Sequence, residues 1–408
     1  MLSDVDIENF IQPFEKRQRE LEQYIVRLIA KRVNEVGHML PSDIHKLERL
    51  YKRGADVKAI NQAIADMTGL QIKQVKKMIK EVAGDVYKDA KPYYDYRRKS
   101  FIPFDENIPL QTMVNAISRQ TQKALKNLCN TRMVGFMIRD RKHPKRLKFY
   151  NAADTYITIM DEAIQAVQSG TLDYGTAMRR TMKQLTDSGM RRMHWESGYS
   201  QRLDTAVKRN MLDGVKQISQ EVHLITGEQF GADGVELTAH LYPAPDHAPF
   251  QGHLFTNEEF NKLQNHEKFV DIKGNKFPAQ ERAIGQWNCR HFAYPVILDA
   301  VIPSYTDKQL KDILKRNEKG VSFNGNHMTA YEATQYQNKL ALKVRQLKDA
   351  QMMAQEMGDM KMAKQYQAKV TKATKEYNLY NKRIMSQLGV GPRRDKVTVT
   401  GYRRISAK

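Results

Sequence analysis

Cysteine is almost missing from this 408-residue chain, which holds only Cys129 and Cys289. Two cysteines with no C-x-x-C pair exclude a disulfide framework and fit a reducing compartment. Long apolar runs are missing too. No stretch of about 18 apolar residues is present, so no membrane-spanning helix is expected. The opening residues, MLSDVDIENFIQPFEKRQRE, lack the apolar core and basic leader of a targeting peptide. Synthesis and folding in a cytosol are therefore expected. Apolar residues make up a modest 41% and charged residues a high 28%. That is enough for a core, and the length suits two or three domains.

What the chain has in excess is positive charge. Lys and Arg number 67 against 46 Asp and Glu, a net charge of +21. Such a surplus repels itself and usually faces a polyanion: nucleic acid, an anionic membrane or an acidic protein surface. It is also uneven. Tyr305 to Lys408 holds 22 basic and 9 acidic residues, so over half of the surplus lies in the last quarter.

Apolar spacing predicts a mainly α protein with a small α+β module. In 19-RELEQYIVRLIAKRVNEVG-37, Leu21, Ile25, Leu28, Ile29 and Val33 follow helical spacing. A second helix is expected over 43–54, capped by Ser42 or Asp43 and stopped by Gly54, with further helices at about 56–67 and 71–84. Residues 91–109 read as a break rich in Pro and Tyr, and helical spacing returns from Leu110 to about Gln184 and over 202–231. Val235 to Ala239 then alternate like a strand, and Pro243, Pro245 and Pro249 forbid a long helix. A β-branched run returns at 293–306, so 234–305 is the expected seat of strands. Two helices, 329–356 and 360–387, are expected to break at 357-MGD-359. The second has a narrow seam at Tyr366, Val370, Ala373, Tyr377, Tyr380 and Ile384, which suits an antiparallel hairpin. The basic end has one strand-like pattern, Val397-Thr398-Val399. The implied organisation is a helical module (1–90), a helical region (91–233), the α+β module (234–305), a helical hairpin (306–388) and a basic tail (389–408).

The chemistry-bearing residues gather in the α+β module. Within it lie His240, Asp246, His247, His253, His266, Cys289 and His291. Three readings fit. A thiol enzyme could pair Cys289 with His291, whose i, i+2 spacing shares one face of an extended segment. Such nucleophiles more often sit at a helix N-terminus, and Cys289 does not. A metal site, zinc by ligand type, could use His247, His253, Cys289 and His291, although this spacing is not that of a standard finger. Or the residues are structural: Asp246 and His247 bonding backbone in a proline-rich turn, Gly252 and Gly285 permitting close approach, Asn288 and Arg290 satisfying loop carbonyls, and Cys289 packing as a small apolar group.

The ordered pattern 246-DHAPFQGHLF-255 and 285-GQWNCRHFAYP-295 resembles the phage minor capsid protein 2 family, and more distantly the MuF-type head morphogenesis domain. The flanking stretches 203-LDTAVKRNMLDGVKQISQE-221 and 331-YEATQYQNKLALKVRQLKDA-350 are similar to that family's helices before and after the motif. The motif residues are Asp246, His247, Gln251, Gly252, Asn288, Cys289, Arg290 and His291. The chain departs from the MuF-type pattern at Cys289-Arg290-His291, where Cys-x-Cys is common; the exchange keeps a potential ligand. The resemblance implies a structural minor head protein of a tailed bacteriophage, with no catalytic role. It further implies a place in the virion, at the portal vertex or capsid interior, after synthesis in the bacterial cytoplasm. Its neighbours would be the portal protein, the major capsid protein and packaged double-stranded DNA, with no membrane. Lys382, Arg383, Arg393, Arg394, Arg403 and Arg404 are the expected nonspecific phosphate contacts, and Tyr402 could stack on a base. The competing reading is a metal- or Cys-dependent hydrolase centred on His247, Cys289 and His291.

Overall fold

The structure is a computed structural model that describes residues 4–37, 54–140, 142–143, 145–169, 174–194, 196–285, 289 and 291–405. In chain order, α1 (Asp4–Gly37) and α2 (Ala55–Asp89) are followed by the short α3 (Lys91–Tyr96) and by α4 (Ile108–Leu128). A hairpin of β1 (Val134–Arg139) and β2 (Leu147–Asn151) leads to α5 (Ala152–Ser169) and α6 (Tyr174–Ser188). Strands β3 (Arg191–Met193) and β4 (Ser200–Arg202) precede α7 (Leu203–Phe230). Next come β5 (Gly234–Leu237), β6 (Leu254–Thr256), α8 (Asn257–Gln264), β7 (Phe269–Val270), β8 (Lys276–Phe277) and β9 (Ala293–Val296). The chain continues through α9 (Asp307–Lys319), β10 (Val321–Phe323), β11 (Asn326–Met328), α10 (Ala330–Glu356), α11 (Met360–Arg383) and α12 (Arg394–Val397). The protein is mainly helical with small antiparallel sheets, as expected.

The elements form two compact units, each drawn from three separate stretches of chain. The first comprises Met1–Pro13, Ile72–Ala124 and Lys208–Ala333. The second comprises Phe14–Gln71, Leu125–Val207 and Thr334–Lys408.

In the first unit, α4 and α7 touch where Gly214 leaves room: a Cβ there would stand 2.8 Å from the Thr121 hydroxyl. Helix α7 then runs under the three-stranded sheet β6-β5-β9. Its His223 ring lies 4.4 Å from the Tyr294 ring, and Gly227 fits against Pro295. Pro295 cannot donate to a ladder, and it sits on the edge strand β9, where none is demanded. The core over this sheet is aromatic: Phe250, Phe255, Phe269 and Phe277, with Leu237, Leu263, Ile284 and Cys289. A capping box closes α8, the Thr256 side chain accepting from the Glu259 N–H and the Glu259 carboxylate from the Thr256 N–H.

The second unit holds a sheet in an unexpected place. Strands β2-β1-β3-β4 form an antiparallel sheet within residues expected to be helical. The strands are only three to six residues long, too short for an alternating pattern to stand out beside the flanking helices. The pairing of Gly135 with Asn151 depends on the missing side chain, since a Cβ would lie 1.9 Å from the Tyr150 carbonyl oxygen.

The hairpin of α10 and α11 forms where expected. Contacts of Lys343 with Glu376 (3.0 Å), Gln351 with Gln367 (3.3 Å) and Gln337 with Asn381 (2.6 Å) pair earlier residues with later ones in reverse order. The break works through Gly358 at φ +72° and Asp359, whose side chain accepts from the Met362 N–H.

Two expected boundaries fail. The helices expected at 56–67 and 71–84 are one helix, α2. Its buried stripe of Ile60, Ile64, Thr68, Gln71, Val75 and Ile79 runs through the expected gap, where Gly69 lies. A glycine inside a helix costs only about 1 kcal/mol, which that burial outweighs. Helix α1 likewise begins well before residue 19 and continues through Pro13. The helix expected over 43–54 falls almost wholly outside the described residues. The strand pattern at 397–399 is instead the end of α12 and the turn after it.

Candidate functional site

Antiparallel pairing of β5 with β9 brings the two halves of the 246–295 motif together. Leu237 pairs with Ala293. Just beyond, Thr238 and Phe292 bond twice, the Thr238 N–H donating to the Phe292 carbonyl and the Phe292 N–H to the Thr238 hydroxyl, both at 3.0 Å. His240 and His291 therefore emerge side by side at the sheet's end, their rings 4.5 Å apart. The turn at 244–252 returns His247 to the same spot, its ring 5.2 Å from that of His291.

The result is a cluster of His247, Cys289 and His291, with one ligand atom of each within 4.8 Å of the others. All three are buried, at 1%, 1% and 4% exposure. Cys289 Sγ lies 3.6 Å from His291 Nδ1 and accepts from the His291 N–H at 3.4 Å. Both rings are held from behind. His291 Nε2 faces Gln251 Oε1 at 3.3 Å. His247 Nε2 faces the Arg282 carbonyl at 2.9 Å and the Asp246 carboxylate at 3.6 Å. These acceptors put the proton of each ring on Nε2 and leave the Nδ1 lone pair for the interior. Gln251 Oε1 also accepts from the His240 backbone N–H at 2.8 Å, so one amide ties the His240 backbone to the His291 ring. Asp246 is fixed by a two-pronged contact with Arg282, at 2.9 and 3.2 Å.

The electrostatics agree with this geometry. Burial alone would raise the Cys289 thiol, but its hydrogen bonding with His247 and His291, with the charge of Lys216, brings it down to about 4. Burial lowers His247, and its hydrogen bond with the Cys289 sulfur overrides that and raises it. Burial dominates at His291 and lowers it, with the neighbouring His240 and His247 adding to the effect.

His253, an expected ligand, does not join the cluster. Its ring packs edge-on against Phe277 at 5.1 Å, and burial lowers its pKa. His266 is also apart, with Nδ1 on the Gln280 carbonyl at 2.7 Å. Gly252 is a tight-approach glycine, at φ +74° with Leu310 only 2.3 Å from where a Cβ would stand. Asn288 and Arg290 lie outside the described residues. Two contributors went unread in the sequence. Arg282 carries no spacing signal, and Lys216 looks like one more basic residue on a helix until its 3% exposure is seen.

At the C-terminal end, Lys382, Arg383, Arg394, Arg403 and Arg404 are exposed. Arg393 is half-buried and paired with Asp395 at 3.3 Å. The tail itself is folded. Lys348 Nζ donates to the Val397 carbonyl at 2.6 Å, and Gln367 Nε2 donates to that of Ile405 at 3.1 Å. Tyr402 is engaged internally, its hydroxyl on Gln351 at 2.8 Å and its ring under Lys348.

The chain is thus basic and mainly helical, with a buried His–Cys–His cluster among the described residues. Residues 2–380 match the family Phage minor capsid protein 2, and the chain belongs to that family. Membership supports a structural role in a phage capsid and places the protein in the virion. No curated protein and no solved structure matched the chain. Among the described residues no helix is long and apolar enough to cross a membrane.

Proposed function

We propose that the protein is a non-catalytic component of the phage head, lodged on its inner side at the portal vertex. Its neighbours there are the portal protein and the major capsid protein. It touches packaged double-stranded DNA nonspecifically through the C-terminal surface of the second unit. Family membership over nearly the whole chain carries the capsid role. The exposed cations Lys382, Arg383, Arg394, Arg403 and Arg404 support the DNA contact, because such groups bind phosphate without reading sequence. Five phosphate contacts predict a log–log salt slope of about −4 to −5. Mass photometry of the chain mixed with the phage's own portal ring tests the location. A discrete added mass supports it, and an unshifted ring rules against the portal as anchor.

The lowered thiol of Cys289 is the one observation favouring a hydrolase. Against it stands burial: at 1% exposure the sulfur meets no macromolecular substrate without opening of the core. Phage carrying Cys289→Ala separate the readings. Particles that assemble but lose a hydrolytic activity would support the enzyme; particles that assemble and infect normally would end that reading.

A further inference from the structure

We propose that His247, Cys289 and His291, with His240 as fourth ligand, form a structural zinc site in the first unit. The inference is independent of where the protein sits in the particle.

It starts from a count of protons. The rings of His247 and His291 spend their Nε2 protons on the Arg282 carbonyl and the Gln251 amide oxygen. Both then aim a lone pair at one sulfur, His291 Nδ1 at 3.6 Å and a ligand atom of His247 within 4.8 Å. A thiol has one proton and satisfies one of them. A divalent cation satisfies both lone pairs and the sulfur together. The outer contacts match what zinc-bound histidines make, in which the far N–H is held by a carbonyl or carboxylate.

The distances fit a tetrahedron. With Zn–N of about 2.0–2.1 Å and Zn–S of about 2.3 Å, a tetrahedral angle puts sulfur and nitrogen about 3.5 Å apart. Cys289 Sγ and His291 Nδ1 are 3.6 Å apart. The same geometry puts two ligand-ring centres about 5.2 Å apart; those of His247 and His291 are 5.2 Å apart. His240 is the next ring, 4.5 Å from His291, and its backbone N–H is held by the same Gln251. His240 stands outside the 4.8 Å group, so its side chain must swing inward to complete a tetrahedron. His253 is turned to Phe277 and contributes nothing.

The ligand set spans both halves of the module, from the end of β5 to the start of β9. A metal there ties the turn that carries His247, and Cys289, to the sheet. Structural zinc needs four protein ligands and no open position, which agrees with the burial of the cluster.

The test uses the full chain, purified without chelator. Elemental analysis should find one zinc per chain. The metal-free chain loaded with Co2+ should show the charge-transfer band of a cobalt–thiolate bond, and Cys289→Ala should lack it. His240→Ala should weaken metal binding at least about tenfold, whereas His253→Ala should leave it unchanged. A folded wild-type chain that takes up neither zinc nor cobalt overturns the site. Equal losses in His253→Ala and His240→Ala overturn the assignment of the fourth ligand. If Cys289→Ala does not fold, the metal content and cobalt spectrum of the wild type still decide.

Discussion

The two units bury polar chemistry in opposite ways. The first gathers histidines and a thiol, groups that can be neutral, and holds them from outside with carbonyl and amide oxygens. The second buries full charges against one another. There Arg202 meets Glu22 at 2.8 Å and Asp204 at 3.3 Å, and Arg345 approaches Asp204 at 3.8 Å. Asp349 lies in the same setting, held by Gln23 at 3.3 Å. The charge network is nearly closed on itself, since each guanidinium has carboxylates to answer it. The His–Cys cluster is not closed, because its lone pairs converge with too few protons between them. A closed network reads as structure alone, whereas an open one reads as a place for a ligand.

This contrast can be broken at either end. The largest expected effect is removal of metal from the first unit. At a thousandfold excess of free zinc over its dissociation constant, bound zinc adds about 4 kcal/mol to stability. A chelator should therefore lower the melting temperature clearly, and hydrogen exchange should rise across 234–296 before it rises in the α10–α11 hairpin. An unchanged melting curve would leave the first unit as closed as the second.

Next comes Arg202→Ala, which strands Glu22 and Asp204 in the core and should cost about 3–5 kcal/mol in chemical denaturation. A loss under 1 kcal/mol would show that water reaches these carboxylates.

Asp349→Asn should act the other way. Burial, together with the nearby Glu22, pushes the Asp349 carboxyl up to about 7. An unfolded Asp titrates near 4. Between those values the folded chain holds the proton that the unfolded chain has lost. Stability therefore falls as pH rises from about 4 to 7 and levels off above. The Asn variant cannot ionise, so it should be more stable than wild type at pH 8, by on the order of 2–4 kcal/mol, and equal to it near pH 4. Urea midpoints at the two pH values check this, and a variant weaker at both would refute it.

The smallest effect on stability belongs to Arg403→Ala with Arg404→Ala, within about 0.5 kcal/mol. Their effect should appear in DNA binding, where the salt slope flattens by about 2. A pair that alters stability but not the slope would remove these residues from the DNA surface.

Much of the fold was legible where local signals and burial agree. The hairpin break at 357–359 carries both a glycine for the left-handed turn and an aspartate to cap the next helix, so its place could be read to the residue. Between the helices expected at 56–67 and 71–84 lies Gly69, but the buried stripe on either side simply continues. The sheet of β1 to β4 was hidden because its order depends on pairings across more than fifty residues, such as Gly135 with Arg191, and short strands do not announce partners. At the site, His247, Cys289 and His291 could be picked out by residue type. Choosing between His240 and His253 could not be done by spacing. His253 stands beside His247 in sequence, but it leads straight into β6, facing the phenylalanines. His240 is farther away in sequence, yet the pairing of β5 with β9 sets it beside His291.

Each unit is woven from three stretches of the chain, and this sets a timetable for synthesis. Buried in the second unit, Lys396 reaches Glu15 at 2.6 Å across 381 positions of sequence. That contact cannot form until Lys396 has left the ribosome. Long-range closures of this kind are slow and leave apolar faces uncovered while they wait. A chain cut short before its last turns would lose the buried lysine that answers Glu15, and with it the closing edge of the second unit.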